Sequence, residues 1–334
     1  MKPKTIVSVL DSLPAAKDVA LRKALAIAHW YESDVHVLHV GPRNSVDENS
    51  PGSVTDELAK RITGVAEGSG TGGVNIIPVV LSGRPVRAIA DYVARVSADL
   101  IVVGQKARRA SRYWSAGSFA AAVGKAVKSP TIAVPSRHTP GTDSETLFRN
   151  ILVPIDFSEA SLRALSEALV LAQQSGGRLR LLHVLEGFPY ETVYSGARAF
   201  RLIHDFRARV AQVNRELRSL IPADALNWGE IDVATVSGLS HDAIVAAASD
   251  QRADLVVLGL PRRSRMDEFV AGSTVHRVLR RATSPMLLVP GPATASLGRP
   301  AAKEDVQFGT HPSVFGPRAA LEPDRAWEGG TAWR

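Results

Sequence analysis

The stretch ADLIVVG at Ala98–Gly104 returns as ADLVVLG at Ala253–Gly259. The offset is 155 residues (259 minus 104), and it stays constant for more than thirty positions. Gly, Ser and Pro residues that punctuate the segment recur at this offset: Gly117 and Gly272, Ser118 and Ser273, Pro130 and Pro285, Pro135 and Pro290. A repeat without gaps, each copy pairing an apolar run with the same turn residues, indicates two related domains in tandem.

The bulk composition agrees with two globular domains. A chain of 334 residues has room for two domains of about 150 residues each. Hydrophobic residues make up 45% and charged residues 22%, and no apolar run approaches the roughly 18 residues of a membrane span. We therefore expect a cytoplasmic protein with no membrane span. The chain has no Cys, which excludes disulfides and thiolate catalysis.

The net charge of +7 is unevenly distributed. Residues 1–150 carry 19 Lys and Arg against 13 Asp and Glu, whereas residues 151–290 carry 16 against 15. A basic first half is compatible with nucleotides, nucleic acid or lipid headgroups as partners. Nucleic acid is not expected, because the chain lacks the interleaved aromatic residues typical of single-strand binders.

Apolar runs of strand length alternate with helical patterns in both halves, which is typical of a parallel sheet covered on both faces. We predict an α/β protein of two Rossmann-like domains, each with a five-stranded parallel sheet. The first half has its runs at Thr5–Leu10, Val35–Val40, Val74–Leu81, Asp99–Gly104 and Thr131–Pro135. The second has them at Ile151–Ile155, Arg178–Leu185, Ile231–Val236, Asp254–Gly259 and Met286–Pro290.

The spacing of equivalent residues locates an insertion. Asp11 and Asp156 differ by 145, but Gly83 and Gly238 differ by 155, so about ten extra residues lie between the second and third strands of the second half. We expect them to lengthen the helix around Ala197–Leu220. The predicted domains are residues 1–136 and 148–291, joined by a linker at 137–147 and followed by a disordered tail at 292–334.

The loop after each repeated strand carries a spaced glycine pattern. Gly259 precedes Gly272-Ser273, and Gly104 precedes Gly117-Ser118. Together with the run Ile151–Ser158, this resembles the universal stress protein family, whose nucleotide-binding members carry Gly, two residues, Gly, nine residues, then Gly-Ser or Gly-Thr. Arg262 and Ala107 stand where the family has its second Gly.

The resemblance implies a strand order of 3-2-1-4-5 in each domain and a pseudo-two-fold pairing of the domains through their last strands. It also implies that Asp156 contacts the base or ribose, that Val184 contacts adenine, and that Thr274 helps to receive phosphate. Pro154 completes the match of the second half. Asp11, Val40, Gly104, Gly117 and Ser118 are the counterparts in the first half, where Phe119 replaces Thr274.

Two interpretations of these loops stay open. Cationic side chains follow both strand ends: Lys106, Arg108, Arg109 and Arg112 in the first half, and Arg262, Arg263 and Arg265 in the second. Because helix N-termini favour anions, these loops either contact phosphate or form a solvated basic surface. Asp156 is either a ligand contact or a cap for the next helix. His39 and His183 belong to the duplicated framework, and a metal site at His36 and His39 is not expected, because their spacing places them on opposite strand faces.

No local catalytic motif is found, so we expect a protein that is not an enzyme, with slow ATP hydrolysis or an ATP-dependent activity as the alternative. The predicted function is stress-response binding of ATP, mainly in the second half, with signalling through protein partners. The competing prediction is a non-nucleotide module that binds another anion or a lipid, or acts as a scaffold. A further homodimer of the tandem chain stays open.

Overall fold

The repeated strands and helices form in both halves. The computed structural model describes residues 2–10, 19–41, 54–68, 72–105, 117–136, 148–186, 197–227, 229–261 and 274–291. The first half contains β1 (Thr5–Leu10), α1 (Val19–Tyr31), β2 (Asp34–Gly41), α2 (Val54–Glu67), β3 (Ile76–Ser82), α3 (Pro85–Arg95), β4 (Leu100–Gly104), α4 (Ser118–Ala126) and β5 (Thr131–Val134). The second contains β6 (Asn150–Pro154), α5 (Glu159–Ser175), β7 (Arg178–Leu185), α6 (Ala197–Ser219), a 3₁₀ turn (Ala223–Asn227), β8 (Ile231–Ser237), α7 (Ser240–Asp250), β9 (Leu255–Leu260), α8 (Thr274–Arg281) and β10 (Met286–Pro290).

The ten strands found in the described ranges belong to one sheet, in the order β3-β2-β1-β4-β5-β10-β9-β6-β7-β8. Read from its own strands, each half has the order 3-2-1-4-5, and its internal pairings are parallel. The predicted α/β fold with two Rossmann-like halves is confirmed. The halves join where β5 and β10 pair antiparallel, with Met286 opposite Ala133 and Leu288 opposite Thr131.

The strands read as continuous apolar runs because both faces of the sheet are buried. Ile101 and Val256 point into the layer formed with α3, α4, α7 and α8, while Val102 and Val257 point into the layer formed with α1, α2, α5 and α6. Each layer contains residues from both halves. The two halves therefore share their cores across the β5–β10 junction.

The repeated Asp of the ADL stretch has a structural role in each half. The Asp99 Oδ2 accepts hydrogen bonds from the backbone N–H of Lys4 at 2.8 Å and of Thr5 at 3.0 Å. Asp254 does the same in the second half, accepting from the N–H of Arg149 at 2.7 Å and of Asn150 at 3.2 Å. The repeated carboxylate thus ties the fourth strand of each half to the start of its first strand.

The insertion lies in α6, as the spacing predicts. This helix has 23 residues, whereas its counterpart α2 has 14. The C-terminal part of α6 packs like α2, since Val213 and Leu217 are buried at the positions equivalent to Leu58 and Ile62.

The predicted linker at 137–147 and tail at 292–334 fall outside the described residues, and the domain boundaries stay predictions. Within the described ranges, no helix has the length and apolar character needed to cross a bilayer.

The Asp254 contact predicts a specific loss of stability. Replacing Asp254 by Ala leaves two backbone N–H groups without their carboxylate acceptor, which should lower the free energy of unfolding by about 1–3 kcal/mol. Asp254→Asn keeps one carbonyl acceptor and should lose less. Urea unfolding followed by circular dichroism measures both variants, and equal stability of the Ala and Asn variants would contradict this role.

Candidate functional site

The carboxyl ends of β6 and β9 meet at the point where the strand order of the second half reverses. The two strands are parallel neighbours, with Leu152 opposite Val256. The chain leaves β6 for α5 on one face of the sheet, whereas β9 leads to α8 on the other face. Such a divergence opens the crevice in which α/β sheets bind ligands. Asp156 and Gly259, 103 positions apart (259 minus 156), both lie at this edge.

Asp156 organises the turn between β6 and α5. One carboxylate oxygen, Oδ1, accepts from the Ser158 backbone N–H at 3.0 Å and from the Ser158 hydroxyl at 2.5 Å. Ser158 is the N-cap of α5, and its Oγ accepts from the Ser161 N–H at 3.2 Å. Sequence reasoning missed Ser158, although a Ser two residues after a strand-end Asp is a typical helix-start signal.

The Asp156 side chain is exposed to solvent and stays ionised. Partial burial raises the pKa of its carboxyl, but hydrogen bonds from Ser158 and Ser161 favour the charged form and outweigh the burial, so the pKa lies below its ordinary value. An ionised carboxylate accepts hydrogen bonds and donates none. Asp156 is therefore suited to hydroxyl and amino donors.

The residue between Asp156 and Ser158 is held in an uncommon backbone conformation. Phe157 has a φ of 60°, the left-handed region that bulky side chains seldom adopt. Its ring packs at 5.2 Å from that of His183, whose Nδ1 donates to the Ile155 carbonyl at 2.7 Å. These contacts support the turn from β7, and they assign His183 to the framework, as expected.

Gly259 allows α5 to approach the sheet closely. A Cβ atom added at Gly259 would overlap the carbonyl group of Ala160 and lie 2.7 Å from the backbone nitrogen of Ser161. The first turn of α5 therefore rests directly on β9. Glycine is therefore required at this position by the close contact with α5, whether or not a ligand is bound.

Val184 and Pro154 frame the same edge. Pro154 is the last residue of β6 and lies opposite Leu182 of β7. Val184, two residues further along β7, is half-buried and contacts the layer beneath α7 and α8. Thr274 begins α8 with an exposed side chain. The structure thus places Pro154, Asp156, Val184 and Gly259 at one edge, whereas Arg262, Gly272 and Ser273 lie outside the described residues.

In the first half, Gly117 takes part in the junction between the halves. It is the N-cap of α4 with a φ of 82°, and an added Cβ would lie 2.8 Å from the Cβ of Leu279 in α8. Ser118 is the first residue of α4, and Val40 is buried in β2. Asp11, and with it the turn that corresponds to the Asp156 turn, lies outside the described residues. Ala107 and the basic side chains of both loops also lie outside them.

Gly104 ends β4, and the nearest described atom to a Cβ added there is the Cβ of Ala20, at 3.7 Å. The residue equivalent to Ala160 is Ala15, which is outside the described ranges. A role of Gly104 in binding nucleotide therefore stays a prediction.

His36 contacts a neighbouring side chain of the first half. Its Nδ1 shares a hydrogen bond with the Tyr92 hydroxyl at 2.6 Å, and burial lowers its pKa, partly offset by Asp34. Across the described parts of the chain, no group of three His, Asp or Glu residues is arranged to hold a metal ion.

The fold and the repeated edge agree with the comparisons to known proteins. A model described as the universal stress protein family matches residues 2–135 and 147–290. The chain belongs to the universal stress protein family, with one domain in each half.

Individual relatives correspond to half of the chain. A universal stress protein of Methanocaldococcus jannaschii is 25% identical over 151 residues, covering 45% of this chain and 86% of the relative. One from Thermus aquaticus is 30% identical over 148 residues, covering 43% and 99%. The crystal structure of a universal stress protein from Archaeoglobus fulgidus covers 87% of this chain and 99% of its own, with a TM-score of 0.57 at 20% identity; that likeness shows the fold.

The contact at Gly259 predicts a severe effect of one methyl group. Gly259→Ala should force α5 away from β9 and lower the free energy of unfolding by about 3 kcal/mol. Gly64→Ala is the matched control, because nothing lies within 4 Å of a Cβ added there in α2, and it should be neutral or stabilising by up to about 1 kcal/mol. Thermal unfolding compares the two, and a stable Gly259→Ala protein would contradict the close approach.

The hydrogen bonds to Asp156 predict its titration. An NMR titration of the side-chain carboxyl carbon should give Asp156 a pKa below the ordinary range, and Ser158→Ala should raise it, since burial is then less opposed. Because the folded pKa is depressed, the ionised carboxylate stabilises the fold above the unfolded-state pKa, and this stabilisation is lost as the pH falls through the folded pKa. An Asp156 pKa at or above the ordinary value would exclude this network.

Proposed function

We propose that the second half binds adenine nucleotide, with ATP as the leading candidate, at the carboxyl edge of β6, β7 and β9. The observation that supports the proposal is the exposed, ionised Asp156 at the switch point of the sheet. Its position next to Gly259 and one strand from Val184 matches the adenosine contacts that the family pattern implies.

Each residue would have a separate role. The Asp156 carboxylate accepts hydrogen bonds from ribose hydroxyls or the adenine amino group. Val184 offers an apolar contact to the base. Thr274, at the start of α8, and the chain segment with Arg262, Gly272 and Ser273 would receive phosphate, because a helix N-terminus and a guanidinium both favour anions.

Binding, rather than catalysis, is the proposed activity. A general base works best when its pKa lies near the working pH, and the lowered pKa of Asp156 makes it a poor proton acceptor. We infer that nucleotide occupancy is sensed by partner proteins in a stress response. The cytoplasmic location expected from the sequence belongs to the same proposal.

A second function, as a scaffold or a binder of another anion or a lipid, is favoured by two observations. The Gly259 position is required by the chain's own α5, so its glycine needs no phosphate to explain it. Both halves also lack the second glycine of the family pattern, with Ala107 and Arg262 in its place.

Isothermal titration calorimetry with ATP tests the leading proposal. Asp156→Asn removes a charge-assisted hydrogen bond worth about 1.5–3 kcal/mol and should weaken binding roughly ten- to hundredfold. Asp11→Asn changes the equivalent residue of the first half and should leave the affinity unchanged. Absence of ATP binding by the unmodified chain, or equal effects of the two substitutions, would contradict the proposal.

Arg262→Gly separates the two functions in the same assay. Loss of ATP binding would identify Arg262 as a phosphate ligand. A strong gain would indicate that the unmodified second half has lost the family's site, which supports the scaffold function.

A further inference from the structure

The insertion in α6 adds a surface that the first half lacks. At the offset of 155, Val54, the first residue of α2, corresponds to Arg209 of α6. Residues 197–208, here called the α6 extension, therefore have no helical counterpart in α2. The extension thus belongs to the residues by which the second half is longer than the first.

The extension projects beyond the carboxyl edge of the sheet. The helix joins two parallel neighbours, β7 and β8, and so runs antiparallel to them. The Asn214 Oδ1 accepts from the Thr235 hydroxyl at 2.7 Å, and β8 ends only two residues later, at Ser237. Two strand residues span about 7 Å, which the helix covers in about five residues. Residues before position 210 thus lie past the strand ends.

An apolar stripe continues along α6 beyond the sheet. Ile203, Phe206 and Val210 are spaced by three and four residues, and the same alternation continues to Val213 and Leu217, so all five share one helix face. Val213 and Leu217 are buried at 1% and 0% exposure, Phe206 and Val210 are half-buried, and Ile203 is 50% exposed. The exposure of the stripe therefore increases towards the N-terminal end of the helix.

Positive charge borders this stripe. At about 100° per residue, Arg207 and Arg209 fall on opposite sides of it, and both are exposed. Residues 197–210 carry four Arg and one Asp, a net charge of +3 (four minus one), and the Asp205 carboxylate already lies 3.5 Å from His204. Pairing two extensions would bring like charges together, which disfavours a second copy as the occupant.

The charges beside the stripe favour an acidic helix as the occupant. The exposed Ile203 lies on the same helix face that packs on the sheet lower down. Arg207 and Arg209, on the two sides of this face, complement a helix that carries acidic residues on both sides of its own apolar face. Amphipathic helices commonly bind in this way, with apolar residues one turn apart in a groove and charges at its rim.

We propose that the α6 extension docks an acidic amphipathic helix of a partner protein, with Ile203, Phe206 and Val210 as the apolar contact and Arg207 and Arg209 as the charged rim. The docking surface needs no nucleotide, so it stands independently of ATP binding at Asp156.

Fluorescence anisotropy with synthetic helices tests the proposal on the full chain. The probe is a labelled peptide of about three heptads with Leu at the a and d positions and Glu at the exposed positions, and its partner probe has Lys in place of Glu. The Glu peptide should bind at least about tenfold more tightly than the Lys peptide, a difference of about 1.4 kcal/mol. Ile203→Glu should abolish this binding, while Val170→Glu, at a 38% exposed position of α5, should leave it unchanged.

Charge reversal makes the test specific. The double variant Arg207→Glu with Arg209→Glu should prefer the Lys peptide. No binding of the Glu peptide, equal binding of both peptides, or equal loss with Val170→Glu would overturn the proposal. So would Ile203-dependent dimerisation in analytical ultracentrifugation, or Ile203-dependent binding to phosphatidylglycerol vesicles without peptide binding, since these outcomes assign the surface to a second copy or to a membrane.

Discussion

The close packing of the first turn of α5 on Gly259 is the constraint on which the candidate site depends. Because Ala160 and Ser161 lie against β9, the start of α5 is fixed relative to the neighbouring strand. That start includes Ser158, whose hydroxyl and amide both bind Asp156. The packing of α5 on Gly259 therefore positions Ser158, and through it the Asp156 carboxylate that is proposed to bind a nucleotide. Gly259, which the family pattern links to ligand binding, is also required for this helix packing.

The two halves share their strand order and the contacts of the repeated Asp, but they differ in other features. Asp99 and Asp254 bind the start of the first strand in the same way, and both halves keep the same strand order. By contrast, Gly117 lies against Leu279 across the junction, so this glycine of the first half takes part in the packing between the halves. The second half has a longer α6 whose apolar stripe outruns the sheet. The features that both halves share thus lie in the sheet, whereas the features that differ lie in Gly117 and in α6.

The parts that could be predicted from the sequence depend on local pattern. Continuous apolar runs predicted a parallel sheet, and the shift from an offset of 145 to one of 155 located the extra turns of α6, because both follow from residue spacing alone. Other features depend on segments that the tertiary fold brings together, and these could not be predicted. They are the hydrogen bonds to Asp254, the left-handed backbone of Phe157 and the contact of Gly117 with Leu279. The family resemblance points to Asp156, whereas its hydrogen bonds to Ser158 are seen only in the structure.

Hydrogen–deuterium exchange of the full chain with and without ATP tests the central claim, that the nucleotide site lies at the β6–β9 edge of the second half. The account predicts slower amide exchange in residues 155–161 and at the start of α8 when ATP is present, with the first strand and helix of the first half unchanged. Protection confined to the first half, or no change anywhere at saturating ATP, would contradict it.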